Sequence, residues 1–297
     1  MATVPSDALK DKEAAARALL AGMGRALVAF SGGVDSCHTL WRHLPGNESI
    51  QQYRISHCLM INGFDADTDI ENQGHFAKIQ GTIEPMMTRH DLELIVCQTN
   101  YMSFSDAWIL KKSFGAMVTA PALVLGRLFS CFFVPSSYRF DEFFRDGSHL
   151  LLDHLIGTES METIHDSSEL TRTEKTANIS NWNATHSMLR VCFNQTGYQE
   201  DTASITNCGR CEKCIRTMKM LEIFGKLENY TTFPRTPSHL DVWLCNYASK
   251  GARIYAREII SQAWKAGKLG ICTDFCIAIA LSLVLGIPRK LARSSRR

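Results

Sequence analysis

The chain has 297 residues, of which 45% are hydrophobic and 21% charged, with a formal net charge of +2. That length supports one large domain or two modest ones around a substantial core. The near-neutral charge excludes a surface built as a whole to grip nucleic acid. No apolar stretch is long and charge-free enough to predict a membrane span; the nearest, 275–287, reads as a buried helix.

Residues 1–24 read as a polar, Ala-rich amphipathic helix and not as a signal peptide, which predicts a cytoplasmic protein. Eleven cysteines in that setting are reduced, metal-bound or catalytic. Cys58 and Cys97 fall inside apolar strand-like runs, where the thiol acts as a small hydrophobe.

Short β-type runs at 26–30, 57–61, 92–97, 131–135 and 162–165 alternate with helical patterns at 35–43, 70–83 and 113–126. This alternation predicts an α/β fold on a parallel five-stranded sheet with flanking helices. From Ser168 onward the pattern is helical, broken by a Cys-rich knot at 208–214. Apolar positions at helical spacing in 242–244, 254–264 and 275–285 predict a helical C-terminal segment. The organisation expected is an α/β domain over 1–234, which includes the Cys-rich knot, and a helical extension over 235–297. The extension ends in a basic tail (Arg289, Lys290, Arg293, Arg296, Arg297) that reads as solvated.

The first strand runs directly into Ser31-Gly32-Gly33-Val34-Asp35-Ser36, and a helix follows. Two glycines permit a tight turn and close approach of a ligand. The helix start behind them offers unpaired N–H groups and a partial positive charge, which suit phosphate. No Lys follows the glycines, so this is not a Walker A loop. A serine-capped Gly-Gly turn, with Asp35 complementing the helix dipole, is the purely structural alternative.

The hexapeptide resembles the SGGxDS fingerprint of the PP-loop, or N-type, ATP pyrophosphatases, which belong to the adenine-nucleotide alpha-hydrolases and have a HUP-type doubly wound sheet. The resemblance covers the chain from Ala26 to about Gly225. It implies ATP and Mg2+, with Ser31, Gly32, Gly33, Val34, Asp35 and Ser36 holding the β- and γ-phosphates so that attack falls on the α-phosphorus. It also places adenosine across the ends of the first two strands, at Ala29, Phe30, Leu59, Met60 and Ile61. Asp65, just after the second strand, either reaches the ribose or caps the next turn.

A dense polar run follows the fourth strand: Asp146, Gly147, Ser148, His149, Asp153, Gly157, Thr158, Glu159, His165, Asp166, Glu169, Thr171, Arg172, Glu174 and Lys175. It resembles a segment that closes over the nucleotide in a subgroup of PP-loop proteins, which implicates Gly147 and His149 in binding. Arg172 and Lys175 share a helix face, and two cations there suit pyrophosphate or the adenylate in the transition state. A solvated helix face, with Glu174 pairing nearby, is the alternative. Ser113 reads as an N-cap near the end of the third strand and as a candidate nucleophile or positioning group, in a Phe114-Gly115-Ala116 context where related proteins often carry His-Gly-Ala. Pro135-Ser136-Ser137 is a further polar strand end.

Cys208, Cys211 and Cys214 lie at CxxC spacing, and Cys192 is the expected fourth ligand. Four thiolates leave no open position, so zinc there is structural. The pattern resembles the four-cysteine site of 7-cyano-7-deazaguanine synthases; an iron–sulfur cluster, as in some PP-loop tRNA thiolases, is the rival. Cys37 is either a nucleophile or a packing residue.

The reading that results is an adenylating enzyme: ATP becomes AMP and pyrophosphate, and sulfur is then transferred to a small-molecule acceptor, a purine nucleotide such as GMP. Ammonia-dependent amidation or nitrile formation, a non-catalytic nucleotide sensor and a tRNA thiolase are the alternatives, tRNA being disfavoured by the modest charge. The sulfur or nitrogen comes either from a separate donor protein or from free solution, with a homodimer left open and no membrane.

Overall fold

The computed structural model describes residues 25–64, 70–103, 107–142, 147–192 and 207–284. The expected helix over 1–24, Asp65, Asp146 and the basic tail lie outside the described residues. Strands β1 (Ala26–Ala29), β2 (Ile55–Asn62), β3 (Glu93–Gln98), β4 (Cys131–Pro135) and β5 (Glu162–Asp166) form one sheet in the order β3-β2-β1-β4-β5. All four pairings are parallel.

Strand alternation sorts the core into two layers. Ala26, Val28, Cys131 and Phe133 point into one apolar cluster, whereas Leu27, Phe132 and Val134 point into the other. A central parallel strand is buried on both faces, so β1 and β4 read as continuous apolar runs without polar interruptions. Helices α1 (Val34–Arg42) and α2 (Ile70–Arg89) cover the first face through Val34, Leu40, Ile79 and Ile83. Helix α3 (Ala107–Val124) covers the other through Met117, Val118 and Ala122. The chain winds outward from β1 to β3, then returns through α3 to lay β4 beside β1. The carboxyl ends of β1 and β4 therefore flank a topological switch point, where open α/β sheets bind ligands.

Two boundaries differ from the sequence expectation. Helix α2 continues through Pro85 to Arg89, because burial of Met86 and Met87 offsets the single backbone bond that proline removes. Helix α3 begins at Ala107, so Ser113 is an interior residue and not an N-cap. Nothing in the sequence between 107 and 112 breaks a helix, and the Ser113 hydroxyl instead meets the Tyr101 hydroxyl at 2.8 Å.

A short helix α4 (Leu150–Asp153) precedes β5. After the sheet come α5 (Arg172–Ile179), α6 (Ala184–Met188), α7 (Glu212–Ile223), α8 (His239–Trp243), α9 (Lys250–Lys265) and α10 (Leu269–Val284). Helix α9 packs on both α5 and α7. Ala256, Ile259 and Phe275 share one apolar cluster with Val28 and Cys37. The C-terminal helices thus continue the core of the first layer, which brings α9 to the crevice. No helix among the described residues is long and apolar enough to cross a membrane.

Candidate functional site

The loop between β1 and α1 is held by its own hydroxyls. Ser36 Oγ donates to the Gly33 carbonyl at 3.1 Å and accepts from the Ser31 amide at 3.3 Å. Ser31 Oγ accepts from the Gly33 amide at 3.4 Å. Gly33 is the extended N-cap of α1 and has no side chain to occupy the helix N-terminus, leaving first-turn amides for a ligand. Gly32 has φ +74°, a conformation that costs any L residue about 1–2 kcal/mol. Its carbonyl accepts from the Arg190 amide at 2.8 Å, so a distant segment fixes the loop from behind.

This loop forms one end of a cavity of about 650 Å³, a volume typical of small-molecule sites. Ser31, Gly33, Val34, Asp35 and Ser36 line it, as do Ala29, Phe30, Leu59, Met60 and Ile61 at the ends of β1 and β2, and Val134 and Pro135 at the end of β4. Across from the strand ends stand Arg172, Arg190, Cys192, Lys213, Arg216 and Tyr255. One end is a backbone-rich loop with a helix N-terminus, and the far wall is cationic and aromatic.

Asp35 anchors the junction. Its carboxylate accepts from Arg172 Nε at 3.2 Å and from the Arg172 NH2 group as well, the bidentate geometry that suits guanidinium best. Burial alone would raise the Asp35 pKa, but Arg172, Lys175 and Arg216 outweigh it and hold it below the usual carboxylate value. Arg172 lays its guanidinium 4.5 Å over the Tyr255 ring, and Arg216 does the same at 4.1 Å. The Tyr138 ring stacks on Tyr255 with centroids 5.2 Å apart, and Tyr255 donates its hydroxyl to the Ser137 carbonyl at 3.1 Å. Cation–π contacts at such desolvated positions contribute on the order of 2 kcal/mol each, so Tyr255 organises both arginines.

Lys175 stands behind the cavity instead of lining it. It is 1% exposed, and its Nζ donates to the Ser136 carbonyl and hydroxyl at 2.8 and 2.7 Å. Its charge reaches Asp35 through the protein and not through a ligand. Of the polar run that follows β4, Arg172 is the member that lines the cavity. Asp166 takes Thr39, His43 and Ser167 as partners and is held well below the carboxylate range by those bonds against burial. Asp153 is fully buried and accepts from Ser148 and His165, both at 2.7 Å. Thr171 and Glu174 form a capping box on α5. Gly147 receives the Gly115 amide on its carbonyl at 3.0 Å, and a Cβ there would lie 2.2 Å from the Lys112 carbonyl. His149 caps α4, its ring accepting from the Leu151 amide at 3.2 Å. Gly147 and His149 therefore brace α3 and α4 beside the cavity, and Ser113 lies with them outside it.

Four sulfurs form a second constellation on the cavity rim. Cys192, Cys208, Cys211 and Cys214 carry no disulfide, and their Sγ atoms all lie within 4.8 Å of one another. Three of the distances are 3.7, 3.7 and 3.4 Å, against about 3.8 Å for the edge of a tetrahedron with 2.3 Å metal–sulfur bonds. The site fits one tetrahedral ion. Asn207, 1% exposed, brings Cys192 to the CxxC pair. Its Oδ1 accepts from the Val191 and Cys192 amides at 2.9 and 3.2 Å, and its Nδ2 donates to the Leu189 and Thr232 carbonyls. Cys211 is the N-cap of α7, so an ion held there fixes the helix that carries Arg216 into the cavity. Cys37 is wholly buried, and burial followed by the Asp35 charge pushes its thiol far above the ordinary range. It is a packing residue and not a nucleophile.

Among the cavity residues that sequence reasoning passed over are the cations Arg190, Lys213 and Arg216 and the aromatic Tyr255. Arg216 lies two residues beyond Cys214, just outside the motif that drew attention to its sulfurs. Tyr255 occupies an apolar position of an amphipathic helix, where a core role accounts for it equally well. Comparison with protein-family models, curated proteins and solved structures finds no match.

Proposed function

We propose that the protein is an ATP pyrophosphatase of the PP-loop type, an adenylating transferase or ligase on a HUP-type fold. The observation that carries this reading is the position of the Ser31–Ser36 loop: it follows the central strand, caps α1 and opens into the cavity at the switch point. In this reading adenosine lies along the ends of β1 and β2, read by backbone groups near Phe30 and Met60. The terminal phosphates rest on the loop hydroxyls and the amides of the first turn of α1. A carbonyl oxygen of the acceptor attacks the α-phosphorus, pyrophosphate leaves, and a second nucleophile displaces AMP. The protein contributes alignment and preorganised positive charge. Asp35 is the carboxylate of the loop, and with its oxygens held by Arg172 the phosphates would supply most of the ligands of Mg2+.

Zinc is the metal this reading assigns to the four cysteines. A four-iron cluster would place each thiolate on a different iron, and a two-iron cluster would divide them two and two. Either spreads the set apart, whereas four sulfurs this close suit a single ion. The zinc is structural and supplies no chemistry. The acceptor class we favour is a purine-type carbonyl that receives sulfur from a separate donor protein, by analogy with the four-cysteine deazapurine enzymes.

The test is product analysis of ATP–Mg incubated with the zinc-loaded chain, sulfide or ammonia, and a panel including GMP and small carboxylates. Acceptor-dependent AMP and pyrophosphate are expected. Formation of ADP, or tight nucleotide binding without turnover, rejects the pyrophosphatase reading and leaves a nucleotide sensor.

A further inference from the structure

Two of the three buried cations around Asp35 are already committed. Arg172 gives its Nε and one terminal NH2 group to Asp35, and Lys175 gives Nζ to Ser136. Arg216 differs. It is 5% exposed and lines the cavity. One terminal nitrogen reaches Glu212 at 3.1 Å, but its Nε has no hydrogen-bond partner among the described residues. A buried N–H left without a partner costs about 1–3 kcal/mol, more on a charged group. Arg216 nonetheless cannot turn away, since its guanidinium plane is pinned 4.1 Å over the Tyr255 ring. Its position is fixed further by α7, whose N-cap is the metal-ligating Cys211. A charged donor held rigid, dry and unsatisfied on a cavity wall is the arrangement that receives an oxyanion.

The location of Arg216 narrows the source of that oxyanion. Arg216 shares the Tyr255 ring with Arg172, which is paired to Asp35 in the first turn of α1, so it stands at the loop end of the cavity. We infer that Arg216, backed by Tyr255, is a second oxyanion receptor of this cavity and takes an oxygen of the nucleotide's β,γ-phosphates opposite the Ser31–Ser36 loop. This inference rests on the nucleotide reading above and adds a residue to it. The loop supplies neutral donors on one side of the leaving pyrophosphate, and Arg216 supplies full charge on the other. Tyr255 and the metal site act through Arg216: they position it, and neither touches the phosphate.

The test is calorimetric titration of the zinc-loaded full chain with inorganic pyrophosphate, α,β-methylene-ATP and AMP. For Arg216→Gln, affinity for pyrophosphate and for the ATP analogue should fall about tenfold or more, as for loss of one charged hydrogen bond, while AMP stays within about twofold. Zinc content and melting temperature report whether that variant folds. If it does not, Arg216→Lys keeps the charge but not the planar donor edge, and a loss of about fivefold for the same two probes is expected. Unchanged affinities in the folded variant, or a loss confined to AMP, overturn this inference alone. A wild-type chain that binds none of the three probes overturns it together with the nucleotide reading.

Discussion

Arg172 and Asp35 lie 137 positions apart in sequence and meet as a bidentate ion pair at the mouth of the cavity. The pair ties the first turn of α1 to the first residue of α5, so the Ser31–Ser36 loop is held by a helix that follows the last strand and packs on the same face of the sheet as α1. Removing one partner strands the other as a largely buried charge, which costs more than the pair contributes. Arg172→Ala should lower unfolding free energy by about 2–4 kcal/mol, read by urea titration. Asp35→Asn with Arg172→Gln should recover a large part of that loss. The Asp35 pKa is depressed, so its contribution is present at neutral pH and is lost as pH falls through the folded-state value. The double variant should show a flatter acid limb than the wild type; superimposable acid limbs would contradict the role of the pair.

Gly32 separates backbone conformation from space. A Cβ there would meet its nearest neighbours at 3.7 Å or beyond, so nothing blocks it sterically, but φ is +74°. Gly32→Ala should therefore cost only about 1–2 kcal/mol of stability. Relaxation of the strain shifts the Ser31 and Gly33 amides, and binding of ATP should weaken about tenfold or more, since orientation at a phosphate loop tolerates little displacement. A variant with wild-type nucleotide affinity would show that the loop is a turn and not a cradle.

Metal removal should act at a distance. Stripping the four-cysteine site frees the Cys211 N-cap of α7 and, through that helix, Arg216. A loss of about 4 kcal/mol corresponds to a drop of about 8–16 °C in melting temperature for a chain of this size. Cys211→Ser should reproduce it. Asn207→Ala should lower metal affinity without touching a ligand, because Asn207 holds the Val191 and Cys192 amides beside the other three cysteines. Elemental analysis of the purified chain is expected to give one zinc and no iron; iron with acid-labile sulfide would replace the single-ion assignment.

Sequence reasoning found the elements whose cause is local. The strands at 26–29 and 131–135 announce themselves because β1 and β4 are buried on both faces, and the four cysteines because thiolates at that spacing have few other uses. The partners of Lys175 were not legible, since they depend on where β4 ends relative to α5, a relation created only when the sheet closes. Arg216 and Tyr255 were missed for the same reason: an Arg just past a Cys motif and a Tyr on an apolar stripe look ordinary until α7 and α9 are packed together. Ser113 was misplaced because a polar residue before a helical pattern mimics a cap, while the stretch from Ala107 already forms helix.

Glu258 offers a pH test of the wall that carries Arg172. It lies on α9, and its carboxylate accepts from the Thr173 amide at the start of α5, 3.4 Å away. Burial, followed by the Glu142 charge, pushes its pKa up to about 7, even though Arg172 and the backbone amides pull the other way. A carboxyl whose pKa is raised on folding stabilises the fold below its unfolded value and loses that stabilisation as pH rises through the folded value. The wild type should therefore lose stability between about pH 5 and pH 8 from this group. Glu258→Gln keeps the acceptor oxygen but cannot ionise, so it should match the wild type at pH 5 and exceed it at pH 8. Discounted for partial exposure, the difference should be about 1–2 kcal/mol, or about 2–8 °C in melting temperature. The same pH dependence in both proteins would mean that Glu258 is ionised throughout, paired more tightly with Arg172 than its burial implies.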